Sequence, residues 1–148
     1  MSTVMATLKT SIAGRIVAVD STLLPLSYTE DVAKNNLVQA GNRYAVRPLD
    51  ATEVPGVTRF VTLDQTFEIL LTNQYFEDKI SDAKKVTASL DCRAKLLDIY
   101  KDLVQTKAGS PSLVLQVRDL EIQSPEFLES EKVVVQRATV TVTYRLTI

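Results

Sequence analysis

Residues 131–148 read EKVVVQRATVTVTYRLTI, and from Ala138 onward apolar and polar side chains alternate without a break. Val134, Ala138, Val140, Val142, Tyr144, Leu146 and Ile148 share one phase; Thr139, Thr141, Thr143, Arg145 and Thr147 share the other. A period of two is the mark of a strand with one buried and one wetter face. At ~3.3 Å per residue, a strand of ~15 residues is about 50 Å long, against the usual five or six residues. A sheet that only had to cover the core of a 148-residue chain would not need such a strand. Two readings follow. Either the strand belongs to a long twisted hairpin that wraps a helix, or it reaches past the core and pairs with a neighbouring subunit. The threonine-rich face favours the second: it is β-prone and carries little charge, so a neighbour can cover it. An unprotected edge of that length is an aggregation hazard, and ring closure hides it.

The segment TRFVTLDQTFEILLTNQ alternates in the same way. Val61, Leu63, Phe67, Ile69 and Leu71 face one side. Phe60, Thr62, Asp64, Thr66, Glu68 and Thr72 face the other, with Leu70 among them. It follows NRYAVRPLDATEV, a strand with Tyr44 and Val46 on one face, across a Pro55-Gly56 turn. Pro48 marks that strand as an edge or ends it early. In PSLVLQVRDLEIQ, Leu113, Leu115 and Val117 share one phase and Leu120 and Ile122 the other, so the phase flips near Arg118-Asp119 as at a bulge.

Two segments have helical spacing. Val4, Leu8, Ile12, Ile16 and Val19 form a stripe, interrupted by Gly14, over an N-terminal helix from about Met5, with a short strand over the β-branched tail RIVAVD as the alternative. Ile80, Ala83, Val86, Leu90, Ala94, Leu97, Tyr100 and Val104 recur every three or four residues through a long helix from Asp78 to Lys107. Leu96, Ile99 and Leu103 widen the stripe, Asp91 and Lys95 form an i,i+4 pair, and Gly109-Ser110-Pro111 stops the helix. Between the helix and first strand, STLLPLSYTEDVAKNNLVQAGN reads as an irregular connection with a helical turn near Thr29–Leu37. The order helix, two strands, long helix, two strands predicts one α+β domain over residues 1–148. Both helices would lie on one face of a four-stranded antiparallel or mixed sheet, the long-helix stripe meeting the apolar strand faces.

Chemistry is sparse. With no histidine, Ser-His-Asp, Cys-His and His-based metal sites are impossible within this chain. Four glycines assemble no phosphate loop. The 17 basic and 18 acidic residues argue against a dedicated nucleic-acid binder or an electrostatic membrane anchor. One cysteine, Cys92, excludes an internal disulfide framework and points to a reducing setting. There is no signal-peptide pattern and no apolar run of about 18 residues, so no membrane-spanning helix is expected.

The order of elements, the segment VTRFVTLDQTFEILLTNQYF…DKISDAKKV…LLDIYKDLV and the segment VVVQRATVTVTYRLTI resemble the tail terminator family of long-tailed bacteriophages, from about Ala6 to Ile148. The resemblance lies in pattern and order. It implies a structural virion protein, assembled in the host cytoplasm, that forms a hexameric ring capping the tail tube at the head–tail junction. The implied partners are sister copies, the tail tube protein, the head connector and, in a contractile tail, the sheath. DNA would pass only in transit through the lumen. The resemblance implies no catalytic residue, cofactor or metal. Tail-tube and other neck proteins share related folds and stand as the alternative. A small-molecule-binding α+β module with a pocket between helix and sheet is the alternative from a different class.

The residues expected at a subunit or partner interface are apolar loop residues and basic strand residues. Leu24, Leu26 and Tyr28 are apolar in a connection that would otherwise meet only water. Phe127 and Leu128 lie at a hairpin tip within the acidic run Glu126, Glu129 and Glu131. Arg137 and Arg145 lie on the threonine-rich face, placed to pair with Asp64 or Glu68 across strands or subunits, in preference to touching DNA in transit through a ring. Cys92 reads as a passive small residue, and Asp64 and Glu68 as a solvated or lumen-facing surface.

Overall fold

The computed structural model describes residues 2–25, 42–54, 60–74, 83–128 and 133–147. Helix α1 (Ser2–Val19) leads through a two-residue strand β1 (Leu24–Pro25) to the hairpin β2 (Arg43–Val54) and β3 (Phe60–Gln74). Helix α2 (Ala83–Thr106) follows, then β4 (Val114–Ile122), a short β5 (Glu126–Leu128) and β6 (Val133–Thr147). The sheet has six strands in the order β1-β2-β3-β6-β4, with β5 beside β6 as well. The α+β architecture is as expected. The sheet differs from the expected four strands by the two short ones, too brief to carry a periodic signal. The proposed turn at Thr29–Leu37 and the segment from Asp78 to Asp82 lie outside the described residues.

The β3–β6 ladder carries the fold. It pairs fifteen residues without a break, from Phe60 opposite Thr147 to Gln74 opposite Val133. An uninterrupted register lets each strand keep its face. Leu63, Phe67, Ile69 and Leu71 of β3 join Val134, Ala138, Val140, Val142 and Tyr144 of β6 on the helix side, as their phases foretell. Val46 of β2 is buried there too, with Tyr44 packed against the cluster. The β2 register shifts between Pro48 and Ala51 and then continues to Val54, so Pro48 marks an irregularity and does not end the strand.

The bulge foreseen in β4 is present, and a second accompanies it. Register shifts fall between Arg118 and Glu121 and between Val114 and Gln116, with Asp119 at φ 59°. The second shift reverses part of the expected phase. Val114 and Val117 enter the core, Leu113 packs against it, and Leu115 is turned outward.

α1 runs helical through Val19 and places Leu8, Ile12 and Ile16 fully in the core. Polar contacts fasten it to α2. Arg15 donates to both carboxylate oxygens of Asp102, at 2.8 and 2.7 Å. Lys95 Nζ meets Asp20 at 2.6 Å, and the Ser11 and Ser110 hydroxyls meet at 2.9 Å. Lys95 thus pairs with Asp20, just after α1, and not with the expected partner Asp91. Beyond α2, Lys107, Ala108 and Gly109 all have positive φ. That turn buries Ala108 and brings Gly109 so close to Arg15 that a β-carbon there would lie 3.2 Å from Cδ.

The α2 stripe is the main correction. Ala88, Cys92, Leu96, Ile99 and Leu103 face the core, whereas Val86, Leu90, Leu97 and Val104 are 51%, 57%, 47% and 43% exposed. Both sets have helical spacing. Burying the expected set would have desolvated Arg93 and Lys101, which lie within it, without partners. The buried set carries no charge between its members, and Ala88 and Cys92 are small enough for close approach to the sheet.

Candidate functional site

The sheet face away from the helices has two parts. Near the β2–β3 turn it is polar, with Thr62, Asp64 and Thr66 on β3 and Thr139, Thr141, Thr143 and Arg145 on β6. Register places Asp64 directly opposite Thr143, whose hydroxyl donates to Asp64 at 2.5 Å. Arg118 of β4 reaches Asp64 at 2.5 Å and also pairs with Asp119 at the bulge. Towards the other end Ala45, Leu70, Val133 and Val135 are buried on this same face. The expectation of a mostly wet face therefore holds for half of it.

Between the two parts runs a row of alternating charge across four strands. Arg47 of β2 meets Glu68 of β3 at 3.5 Å. Glu68 lies 4.0 Å from Arg137 of β6, and Arg137 lies 3.5 Å from Glu126 of β5. Arg47 and Glu68 are direct cross-strand partners, so the row follows from register. Burial pushes the Glu68 carboxyl above its ordinary range, against the lowering pull of Arg137. Arg137 Nε is buried and makes no hydrogen bond. The 4.0 Å approach to Glu68 is a charge contact only.

Beside the row lies an open hollow of about 410 Å³, lined by Thr66, Asp119, Leu120, Glu121, Thr139 and Thr141. It sits on the threonine face. Among the described residues no group of three or more acidic or cysteine side chains is arranged to hold a metal ion. Cys92 is buried, and burial pushes its thiol up to about 11, which suits an inert packing residue.

The five described residues among the seven expected at an interface fall on three strands, β1, β5 and β6. Leu24 is 51% exposed where β1 pairs with Arg43 and Tyr44, while its neighbour Leu23 enters the core. Leu26 and Tyr28 lie outside the described residues. Phe127 is half-buried and packs against its own core, and Leu128 pairs with Val133 through β5. Arg137 belongs to the charge row. Arg145 is exposed, opposite Thr62, and its backbone N–H donates to the Leu113 carbonyl at 3.1 Å.

The two long flanks of the sheet were only partly foreseen. β1 covers β2 at Arg43 and Tyr44 alone, and among the described residues the rest of that edge to Val54 has no strand beside it. β4 is the opposite edge, with Leu115 39% exposed. Fold and surface together define a two-layer α+β domain whose sheet has, among the described residues, two largely unpaired edges and an outer face that is polar over one half. The chain matches no known protein-family model and no curated protein.

Proposed function

We propose that the protein is a structural, non-catalytic subunit of a closed homo-oligomeric ring, a tail terminator-like hexamer that caps a phage tail tube and joins it to the head connector. The observation that carries this reading is the mismatch between layers. At ~1.5 Å per residue the 24 residues of α2 extend about 36 Å, whereas the 15 residues of β3 or β6 at ~3.3 Å extend about 50 Å. The β3–β6 ladder keeps one register over all fifteen pairs, from Phe60 opposite Thr147 to Gln74 opposite Val133. A sister copy that completes the β2 or β4 edge gives this excess length a use and removes the edge hazard. The threonine face, with its internally paired charges, suits a surface that is covered or lines a lumen without gripping DNA.

Electron micrographs of the purified protein, alone and with polymerised tail tube, test the reading. Rings that seat on tube ends and stop further growth support it. Continuous stacking into tubes would instead favour a tail-tube protein. A monomer that ignores the tube leaves neither.

A further inference from the structure

The outer face of α2 is largely exposed, although Tyr100 on it is partly buried against the chain's own core. Val86, Leu90, Arg93, Leu97, Tyr100 and Val104 follow one another at spacings of four, three, four, three and four. That is a 3.5-residue repeat, the period of a helix that lays one seam along another helix. Val86, Leu90, Leu97 and Val104 are about half exposed, and the seam extends about 27 Å at ~1.5 Å per residue. Among the described residues Asp91, Arg93, Asp98 and Lys101, which flank or interrupt the seam, carry no ion pair. Two other charges of the helix are committed: Asp102 to Arg15 of α1 and Lys95 to Asp20 just after it.

We infer that this face is a two-fold contact with the α2 helix of a second copy, packed antiparallel. Heptad geometry fixes one register with the axis near Ala94. Val86 then lies against Val104 of the second copy, Leu90 against Tyr100 and Arg93 against Leu97, each pair occurring twice. Lys101 comes within one turn of Asp91 of the second copy, again twice, so the stripe is complementary in charge to its own reversed copy. The parallel arrangement fails this test, because it stacks Arg93 on Arg93 inside the seam. In the antiparallel one the Arg93 stem covers Leu97 and its guanidinium reaches water. The contact lies in the helix layer, away from the strand edges. Two copies close it, so it pairs chains or rings and does not itself build a ring.

The test uses the full chain. Ala94 sits beside the axis, so Ala94→Cys should give a disulfide-linked dimer on mild oxidation. Thr87→Cys, exposed on the same flank but far from its own mate, should not. Leu97→Asp should abolish the helix-linked species in sedimentation. Asp91→Lys should weaken association about tenfold or more, and Asp91→Lys with Lys101→Asp should restore it. Thermal unfolding of each variant confirms that it is folded. The inference is overturned if Ala94→Cys does not cross-link, if Thr87→Cys links as readily, if Leu97→Asp leaves association unchanged, or if the double reversal gives no rescue. The outcome is separable from the ring reading. Helix-linked dimers without rings keep this inference and sink the ring; rings indifferent to Leu97→Asp do the opposite.

Discussion

Gly14 lies inside α1, and a β-carbon built there meets no atom within 4 Å. Glycine in a helix interior costs about 0.5–1 kcal/mol relative to alanine. Gly14→Ala is therefore expected to stabilise the protein by about that amount, read as a rise in the urea midpoint at unchanged slope. Asp20, just after the same helix, shows a pH effect. The Lys95 ammonium, and then Thr22, hold its carboxyl down at about 2. An unfolded aspartate titrates near ~3.9, so the folded value is the lower one. Ionised Asp20 stabilises the fold above about pH 4, and that contribution is lost as pH falls from about 4 towards 2. The pair is partly open to solvent, with 20% of the Asp20 side chain exposed, so Asp20→Asn should cost roughly 1 kcal/mol at neutral pH. Unfolding curves of parent and variant should converge near pH 2.

Among the elements, the strands were the most legible and the long helix the least. Period two fixes a strand's faces relative to each other, and the fifteen-pair β3–β6 ladder then carries every phase into the sheet. The flip at Arg118-Asp119 was visible because a bulge leaves a scar in the alternation, whereas the shift beside Leu115 came too near the strand's start. α2 carries two apolar stripes, and periodicity alone does not say which meets the sheet. The absence of charge from the Ala88–Leu103 stripe decides it, a criterion already present in the sequence. Adjacent residues test this: Leu96→Ala should cost about 2–5 kcal/mol, as for a buried leucine. Leu97→Ala should change the stability of the single chain by less than about 0.5 kcal/mol. Chemical denaturation of both at high dilution checks it. Of the candidate site, the Arg137–Glu68 approach was readable from their shared face. Arg47 and Glu126 were not, because their place in the row depends on registers that loops of unreadable geometry set. Phe127 looked like an interface residue because a hairpin tip is usually wet, but pairing of β5 with β6 turns it onto the core.

At the scale of the molecule, two observations bear on what the protein is for. Among the described residues the two long strands exceed α2 in length, and both flanks of the sheet are largely unpaired. In a chain that works alone, unpaired edge amides are an aggregation hazard. Both features become useful when copies meet edge to edge around an axis. The most direct measurement is the mass of the intact assembly by native mass spectrometry, combined with amide hydrogen exchange along β2 and β4. A closed ring of six chains, with edge amides that lose protection when dilution disperses it, is the expected result. A monomer at every concentration, with edge amides exchanging as freely as loops, would contradict the account.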